Sequence, residues 1–416
     1  MKKRNLVLLL LVLVGVITFL DRINISVAGS SIMQDLGLSR KQWGWVLSAF
    51  ILSYGLMQVP IGVLGDKKGH RKVLTIIVLW WSLFTVFTGF ANGFVMLIAI
   101  RFLFGIGEAG SYPCMTGVIS NWFSRSETGK AQGAIWAASR LGGALTPFVV
   151  IPVIALLGWR MAFFILGFLG LLWSIAWYFF YRDQPSKIKG IKAAELDKLP
   201  VTAPAAEKLV IPWKIILSRK QFWLLLSMYF FYAWGSWFFF SWFPTFMEQG
   251  RGFSKSQLTY AVAVPFLMSM IGNIAGGFLS DKLSIKYGLR TGRRLLGAGA
   301  LSVSAVCMFL AGFIPGKLQV FIFLSLCFGV IDLMLPSAWA ICTDIGRKFA
   351  GAVSGAMNTA GNIGGFICAS VFGYVVDATG NYNMPLFVIA AMLLISSILF
   401  LKLDPSRPLA EENTIV

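Results

Sequence analysis

One charged stretch decides how this chain is interpreted: GVLGDKKGHRK, at residues 62–72. A shorter version, GFLSDK, stands at residues 277–282, which is 215 positions later. Four glycines repeat as well, because residues 129–143 and 351–365 both begin GxxxG and end GG, at a constant offset of 222. The chain is therefore expected to consist of two related halves.

The composition places both halves in a membrane. The chain is 57% hydrophobic and only 13% charged, against about 25% charged in soluble domains. Its apolar runs are about twenty residues long, and each can cross a hydrocarbon core of about 30 Å as a helix. We predict an all-α membrane protein with twelve transmembrane helices, arranged as two pseudo-symmetric six-helix bundles. The predicted spans are 6–28, 43–64, 73–91, 94–119, 129–157, 161–181, 222–247, 258–279, 295–314, 318–341, 351–376 and 385–403.

The domain organisation follows from the repeat. We expect an N-terminal bundle at 1–181, a cytoplasmic connector with one amphipathic helix at 182–220, and a C-terminal bundle at 221–416. Two like bundles about an axis along the membrane normal expose one midplane site alternately to each side, as in secondary transporters. Three pairs of glycines are expected to let helices approach where the halves slide past each other, with static packing as the alternative. They are Gly129 and Gly133, Gly351 and Gly355, and Gly272 and Gly276.

The charged loops are predicted to gate this motion. Asp66 and Asp281 end the second span of each half, and Arg71 lies in the first copy of the loop. Each acid can meet the positive N-terminal end of a helix from the other half. The alternative is that they are solvated loop residues.

The basic residues indicate how the chain is oriented in the membrane. The net charge is +19, from 36 Lys and Arg against 17 Asp and Glu. With the N-terminus inside, 27 of the basic residues fall in cytoplasmic segments, six in outside loops and three within spans. This bias predicts cytoplasmic termini and argues against nucleic-acid binding. The basic start followed by an apolar run also resembles a signal peptide, but Asp21 and Arg22 interrupt that run, which favours an uncleaved first helix.

Enzymatic functions find no support in the sequence. No Gly-Lys is followed by Ser or Thr, so a phosphate-binding loop is missing. The single histidine, His70, lies in a predicted cytoplasmic loop, and the five cysteines have no metal-ligand spacing. We therefore expect neither an enzyme nor a metal site.

Six ionisable residues lie inside predicted spans. They are Asp21, Arg22, Arg101, Glu108, Arg140 and Asp332. A charge in mid-membrane costs about 2.5–3.5 kcal/mol on the insertion scale, so these groups must face a wet cavity, pair, or become neutral. Static ion pairing is the alternative to a functional role.

Their spacing indicates how they divide. Asp21 and Arg22 are neighbours and point about 100° apart on a helix, so they serve different contacts. Arg101 and Glu108 are two turns apart, about 10 Å along one face, which is too far for a direct bond between their backbone positions. Arginine suits a carboxylate substrate. With no histidine in the membrane, proton coupling falls to Asp21 and Glu108, since burial favours the protonated acid. Arg140 and Asp332 are expected to pair or to tune the pocket jointly.

Several stretches resemble a known family. The loop at 62–72 resembles the signature of the major facilitator superfamily. Within it, FLDRIN at 19–24, RFLFGIGEA at 101–109 and SWFP at 241–244 resemble the anion:cation symporter family. That family includes bacterial galactonate, glucarate and hexuronate symporters and animal vesicular glutamate and sialic acid carriers. The similarity runs over nearly the whole chain.

The resemblance implies roles for single residues. Asp21 and Glu108 match proton carriers, and Arg22 and Arg101 match substrate-binding arginines. Further positions match substrate contacts in sugar-acid carriers: Tyr54, Trp339 and Asn358. Two substitutions depart from those carriers, because Phe19 stands where Tyr is frequent and Ser139 where Gln is common. Both reduce hydrogen-bonding reach at a predicted substrate position, which indicates a smaller or less hydroxylated anion.

The expected function is proton-coupled symport of an organic anion, such as an aldonate, uronate or aldarate, by a monomer in the bacterial inner membrane. Its partners would be the anion, protons and the lipid bilayer, and it would need no cofactor other than the coupling protons. Anion exchange, sodium coupling and a non-transporting sensor remain the alternatives.

Overall fold

The computed structural model describes residues 3–123, 125–187 and 213–409, with the side chains of 125–130 and of Lys348 outside that description. All regular structure in these ranges is helical. Twelve helical segments there are long and apolar enough to cross a membrane, which confirms the predicted number. The chain forms two compact units, one of Met1–Leu38 and Ala49–Lys208, the other of Ser39–Ser48 and Leu209–Val416. The predicted domain boundaries stay a prediction, and residues 188–212 of the connector lie outside the described residues.

The first unit contains eight helices, one of which begins in the second unit. They are α1 (Lys3–Val27), α2 (Gly29–Leu36), α3 (Arg40–Lys68), α4 (His70–Gly89), α5 (Phe94–Glu108), α6 (Ser111–Trp122), α7 (Arg125–Leu157) and α8 (Trp159–Phe180). The sequence predicted one continuous helix at 94–119. The structure instead ends α5 at Glu108 and begins α6 at Ser111, so a titratable side chain stands at the break.

Glycines between residues 105 and 110 bring this part of the span close to its neighbours. A Cβ on Gly105 would come within 2.6 Å of the Phe50 carbonyl oxygen in α3, and one on Gly107 within 3.0 Å of the Trp81 amide in α4. Gly110 is equally tight, because its Cβ would stand 2.2 Å from Ile61. The small residues therefore bring α5 close to α3 and α4 and fix the depth of Glu108 in the unit.

The second unit contains the remaining helices. They are α9 (Trp213–Ser218), α10 (Lys220–Ser241), α11 (Phe243–Thr245), α12 (Lys255–Tyr287), α13 (Leu289–Phe313), α14 (Lys317–Gly346), α15 (Ala350–Thr379) and α16 (Met384–Lys402). The first turns of α3 belong to this unit, where Lys41 donates its amide to Asp377 at 2.8 Å and Ser48 lies 2.7 Å from the Ser370 hydroxyl.

The seventh span also differs from the sequence prediction. A single helix was predicted at 222–247, whereas α10 ends at Ser241 and a π-helical turn follows α11 at Phe246–Gly250. Pro244 supplies no amide hydrogen, so the regular ladder cannot run through it. The Trp242 indole, at the break, donates to the Ala369 carbonyl at 2.9 Å.

Gly272 and Gly276 follow the second of the two expectations, static packing. Both lie on α12 and pack against α14 inside the second unit, so their contact is packing within one bundle. A Cβ on Gly272 would stand only 1.9 Å from the Gly329 carbonyl oxygen, and one on Gly276 only 2.2 Å from that of Leu333. Helices that meet through backbone atoms in this way form a rigid pair.

We expect Gly272→Ala to destabilise the protein, because the methyl group forces α12 and α14 apart. Overpacking of this kind costs about 1–3 kcal/mol. The thermal midpoint in detergent measures the effect. Gly277→Ala is the matched control, since a Cβ there meets no described atom within 4 Å. Equal midpoints for the two variants would contradict this account of the packing.

Candidate functional site

A buried ion pair lies at the centre of the first unit. Arg22 of α1 donates from Nε to Glu108 Oε1 at 2.9 Å, and its Nη2 makes a shorter bond to the same oxygen. Glu108 is fully buried and Arg22 is 7% exposed. The second carboxyl oxygen, Glu108 Oε2, has no hydrogen-bond partner among the described residues. One guanidinium edge is thus committed to one oxygen of one carboxylate.

Aromatic rings surround the arginine of this pair. The guanidinium carbon of Arg22 lies 5.1 Å from the Phe19 ring centre, 5.4 Å from that of Phe50 and 4.8 Å from that of Tyr54. Rings of this kind stabilise a cation through their faces and exclude water from it.

Asp21 points to a different helix. Its Oδ2 accepts a hydrogen bond from the Trp81 indole of α4 at 3.2 Å, while its Oδ1 has no hydrogen-bond partner among the described residues. It is 1% exposed and lies within electrostatic range of Glu108 and Arg101. Neighbours on α1 thus serve different contacts, as helical geometry requires.

Arg101 is held by ring faces. Its guanidinium carbon lies 4.8 Å from the Phe50 ring centre and 4.5 Å from that of Phe104, and the side chain is 2% exposed. The structure shows no hydrogen bond from it to any described residue, and Glu108 pairs with Arg22 instead. A second buried cation thus stands beside the pair of Arg22 and Glu108.

Ser139 and Arg140 lie on α7, which packs against α1 near Phe19. The Ser139 hydroxyl donates to the Ile135 carbonyl at 2.8 Å and lies 2.7 Å from the Tyr112 hydroxyl. Arg140 is 6% exposed, and its guanidinium carbon lies 5.8 Å from the Phe19 ring centre. α7 comes close to α1 here because a Cβ on Gly142 would stand 2.6 Å from the Val16 carbonyl oxygen.

The other predicted site residues lie in the second unit. Asp332 of α14 is fully buried and accepts a hydrogen bond from Ser269 of α12 at 2.5 Å. Trp339 and Asn358 are half-buried on α14 and α15. Their roles in substrate binding, and the pairing of Arg140 with Asp332, stay predictions.

The predicted gating residues have local contacts. The Asp66 carboxylate lies 3.6 Å from His70 Nε2 and is 75% exposed. The Arg71 guanidinium donates to the Tyr178 carbonyl of α8, and its amide donates to Asp183. Asp281 is exposed. Their contacts with the other half of the chain stay predictions.

Three residues that contact the site were not predicted from the sequence: Phe50, Trp81 and Tyr112. Two had a usable signal, because Phe50 stands four residues before Tyr54 and Tyr112 four residues after Glu108, which is the spacing of one helix face. Trp81 had none, since nothing in the sequence of α4 distinguishes it from a packing residue. Tyr112 stacks on Trp136 with ring centres 4.6 Å apart.

The comparisons with known proteins identify the family of the chain. Residues 11–369 match the model of the Major Facilitator Superfamily. The chain is 36% identical to a probable sulfoacetate transporter of Cupriavidus necator, over 97% of this chain and 94% of that protein. It is 31% identical to a hexuronate transporter of Bacillus subtilis, over 91% and 89% of the two chains. It is 29% identical to a D-galactonate transporter of Escherichia coli, over 97% and 96%.

Solved structures share the fold. A bacterial homologue of the human lysosomal transporter Spinster superposes with a TM-score of 0.79 at 19% sequence identity, over 96% of this chain and 97% of that one. Identity this low supports a common fold and nothing finer.

Proposed function

The chain belongs to the Major Facilitator Superfamily, within its branch of organic-acid carriers, and on that basis we propose that it moves an organic anion across the membrane together with protons. It is a multi-pass membrane transporter. The observation that carries the proposal is the buried bond between Arg22 and Glu108. Arginine is the side chain best suited to a substrate carboxylate, and here a titratable acid occupies it.

Glu108 and the substrate anion compete for the guanidinium group of Arg22, and this competition couples the anion to the proton. While Glu108 is ionised, it satisfies Arg22 and an anion gains little by replacing it. Once Glu108 takes a proton, it no longer balances the buried cation, and an uncompensated charge there is costly. An entering carboxylate restores the balance, so anion and proton occupy the site together. On the other side of the membrane, loss of the proton returns Glu108 to Arg22 and expels the anion.

Asp21 supplies a second proton-binding position in the proposal. It is buried near Glu108 and Arg101 and has one carboxyl oxygen free of hydrogen bonds to described residues. Two protons per monoanion would carry net positive charge inward, so membrane voltage would drive uptake. Arg101, which bonds no described group, adds cationic charge beside Arg22.

The proposed anion is chosen from the relatives and from the side chains near Arg22. A sugar acid is the first candidate, because the matched relatives include hexuronate and galactonate transporters. A small sulfonated carboxylate is the second. It is favoured by Phe19, which has no hydroxyl group, and by Ser139, whose hydroxyl is already bonded to Ile135 and Tyr112. The 36% identity to a probable sulfoacetate transporter supports the same choice.

The remaining parts of the proposal concern the membrane, the oligomeric state and the orientation of the protein. We place the protein in the bacterial inner membrane as a monomer, with both termini in the cytoplasm, because basic residues concentrate in the loops on that side. Sodium coupling, anion exchange and a sensor without transport are the alternatives.

Uptake into proteoliposomes tests the proposal. We expect galactonate, a monoanion, to accumulate when the interior is alkaline or electrically negative. Sulfoacetate, a dianion whose charge two protons only neutralise, should accumulate when the interior is alkaline. Both should equilibrate without a gradient. Replacing sodium with choline should change nothing. Uptake that ignores both gradients but requires an internal anion would identify an exchanger and overturn proton symport.

A further inference from the structure

Three arginines meet one aspartate in the second unit, where α13 begins and the chain leaves α16. Asp404 Oδ2 lies 3.6 Å from Arg290 Nε and 3.4 Å from Arg407 Nε. Arg294, one turn after Arg290 on α13, donates from Nε to the Leu403 carbonyl. It also lies within electrostatic range of Arg290 and Asp404. One carboxylate therefore serves three guanidinium groups, and positive charge is in excess in this cluster.

The carboxylate of the cluster points inward and two of its arginines point outward. Asp404 is 5% exposed, and its Oδ1 accepts hydrogen bonds from the Ser406 amide at 3.2 Å and hydroxyl at 2.5 Å. The side chains of Arg290 and Arg407 are 55% and 77% exposed, and neither guanidinium group donates a hydrogen bond to a described residue. Asp404 thus holds the two arginines in place while their outer donors stay available.

The cluster lies at a surface of the membrane. α13 and α16 are both long and apolar enough to span it, and the cluster joins the first turns of one to the end of the other. The two helices are in contact just inside these ends, where the Ser397 hydroxyl donates to the Ala298 carbonyl at 2.9 Å. Leu295 and Leu401, in the adjoining turns, are 53% and 51% exposed. Exposed leucines at this depth face lipid chains, and the arginines stand at the level of the headgroups.

We propose that this cluster binds the phosphate group of an anionic phospholipid, with Arg290 and Arg407 as the side chains that contact it. The guanidinium fork matches phosphate oxygens, and basic pockets between the ends of spanning helices suit acidic headgroups. A lipid is favoured over a soluble anion because the adjoining leucines offer its acyl chains an apolar surface. The inference concerns the second unit alone and does not depend on the proposed substrate or on proton coupling.

Lipid titration of the purified protein in a neutral detergent, followed by native mass spectrometry, tests the inference. The probes are phosphatidylglycerol and phosphatidylcholine with the same acyl chains, and glycerol phosphate as the soluble headgroup. Phosphatidylcholine has the same phosphate but neutralises it with its own cation. We expect about tenfold tighter binding of phosphatidylglycerol, because each arginine near a lipid surface contributes about fivefold. Glycerol phosphate should not displace it at equal concentration.

Variants then assign the preference to the cluster. We expect Arg290→Gln and Arg407→Gln each to weaken phosphatidylglycerol about fivefold and to leave phosphatidylcholine unchanged. Asp404→Asn should instead tighten phosphatidylglycerol, because it releases both guanidinium groups and keeps an acceptor for Ser406. Tighter binding is not a result that damage to the fold would give. Arg160→Gln is the matched control, since Arg160 is an exposed arginine paired with an acid in the first unit.

Three results would overturn the inference. The first is equal affinity of the wild-type protein for the two lipids, which requires no variant to fold. The second is displacement of phosphatidylglycerol by glycerol phosphate at equal concentration, which would assign the cluster to a soluble phosphate. The third is wild-type affinity for phosphatidylglycerol in both arginine variants, which would place the lipid elsewhere on the protein.

Discussion

Replacing Glu108 with glutamine is expected to abolish uphill accumulation of the anion while leaving exchange of internal for external anion in place. Glutamine keeps the size of the side chain and carries no charge at any pH, so it imitates the protonated acid permanently. Arg22 then loses its ionised partner and is available to the anion in every step. The carrier can still alternate with anion bound, but it no longer couples the anion to a proton.

The size of the effect is set by the gradient. Each coupled proton and a difference of one pH unit support at most about tenfold accumulation, because each factor of ten corresponds to about 1.4 kcal/mol. We expect the Glu108→Gln protein to reach a ratio of about one under the same gradient. Counterflow of labelled anion should stay within about threefold of wild type, since the bond it needs from Arg22 is retained.

Asp35→Asn is the matched control for this prediction. Asp35 also pairs with an arginine in the first unit, Arg160, but its side chain is 45% exposed. Accumulation by that variant should equal wild type, because an exposed pair contributes little. If the Glu108→Gln protein accumulated anion uphill as the wild type does, Glu108 would not be the coupling group.

Replacing Arg22 with lysine is expected to weaken anion binding about 10- to 100-fold. An ammonium group keeps the charge but cannot present two parallel donors to a carboxylate, and its shorter stem cannot hold the stacked position between the rings. Each hydrogen bond to a charged group contributes about 1.5–3 kcal/mol, which converts to that range. Titration of purified protein with sulfoacetate or galactonate measures the loss.

The two variants should fail in different ways. Arg22→Lys keeps an ionisable Glu108, so any uptake that remains should still follow the pH gradient, whereas Glu108→Gln binds anion and ignores the gradient. Arg160→Lys controls for arginine replacement in general. An Arg22→Lys protein with wild-type affinity would show that the anion binds elsewhere.

Much of the fold could be read from sequence because membranes impose strong rules. A run of twenty apolar residues has few alternatives to a spanning helix, so the number of spans was predictable. The two broken spans were not. Where α5 ends at Glu108, Gly105 and Gly107 pack closely against α3 and α4, which is a property of packed helices and not of one segment. The break near Pro244 could have been predicted from the proline itself, but the continuous apolar run around it favoured a single helix.

The sequence predicted which residues belong to the site, but not which of them bond each other. Buried charges are conspicuous in apolar sequence, so Asp21, Arg22, Arg101 and Glu108 stood out at once. Spacing along one helix placed Arg101 and Glu108 on a common wall, yet the bond that formed joins Glu108 to Arg22, 86 residues away. Partners on different helices are chosen by helix rotation and depth, which no local pattern encodes.

Proton binding during anion binding tests the central claim most directly. Anion is added at neutral pH to purified protein in weakly buffered solution, and the pH change of the medium is recorded. If Glu108 leaves Arg22 by taking a proton when the anion arrives, the wild-type protein removes protons from the medium, and the Glu108→Gln protein removes fewer or none. Anion binding by the wild type with no proton uptake would contradict the account.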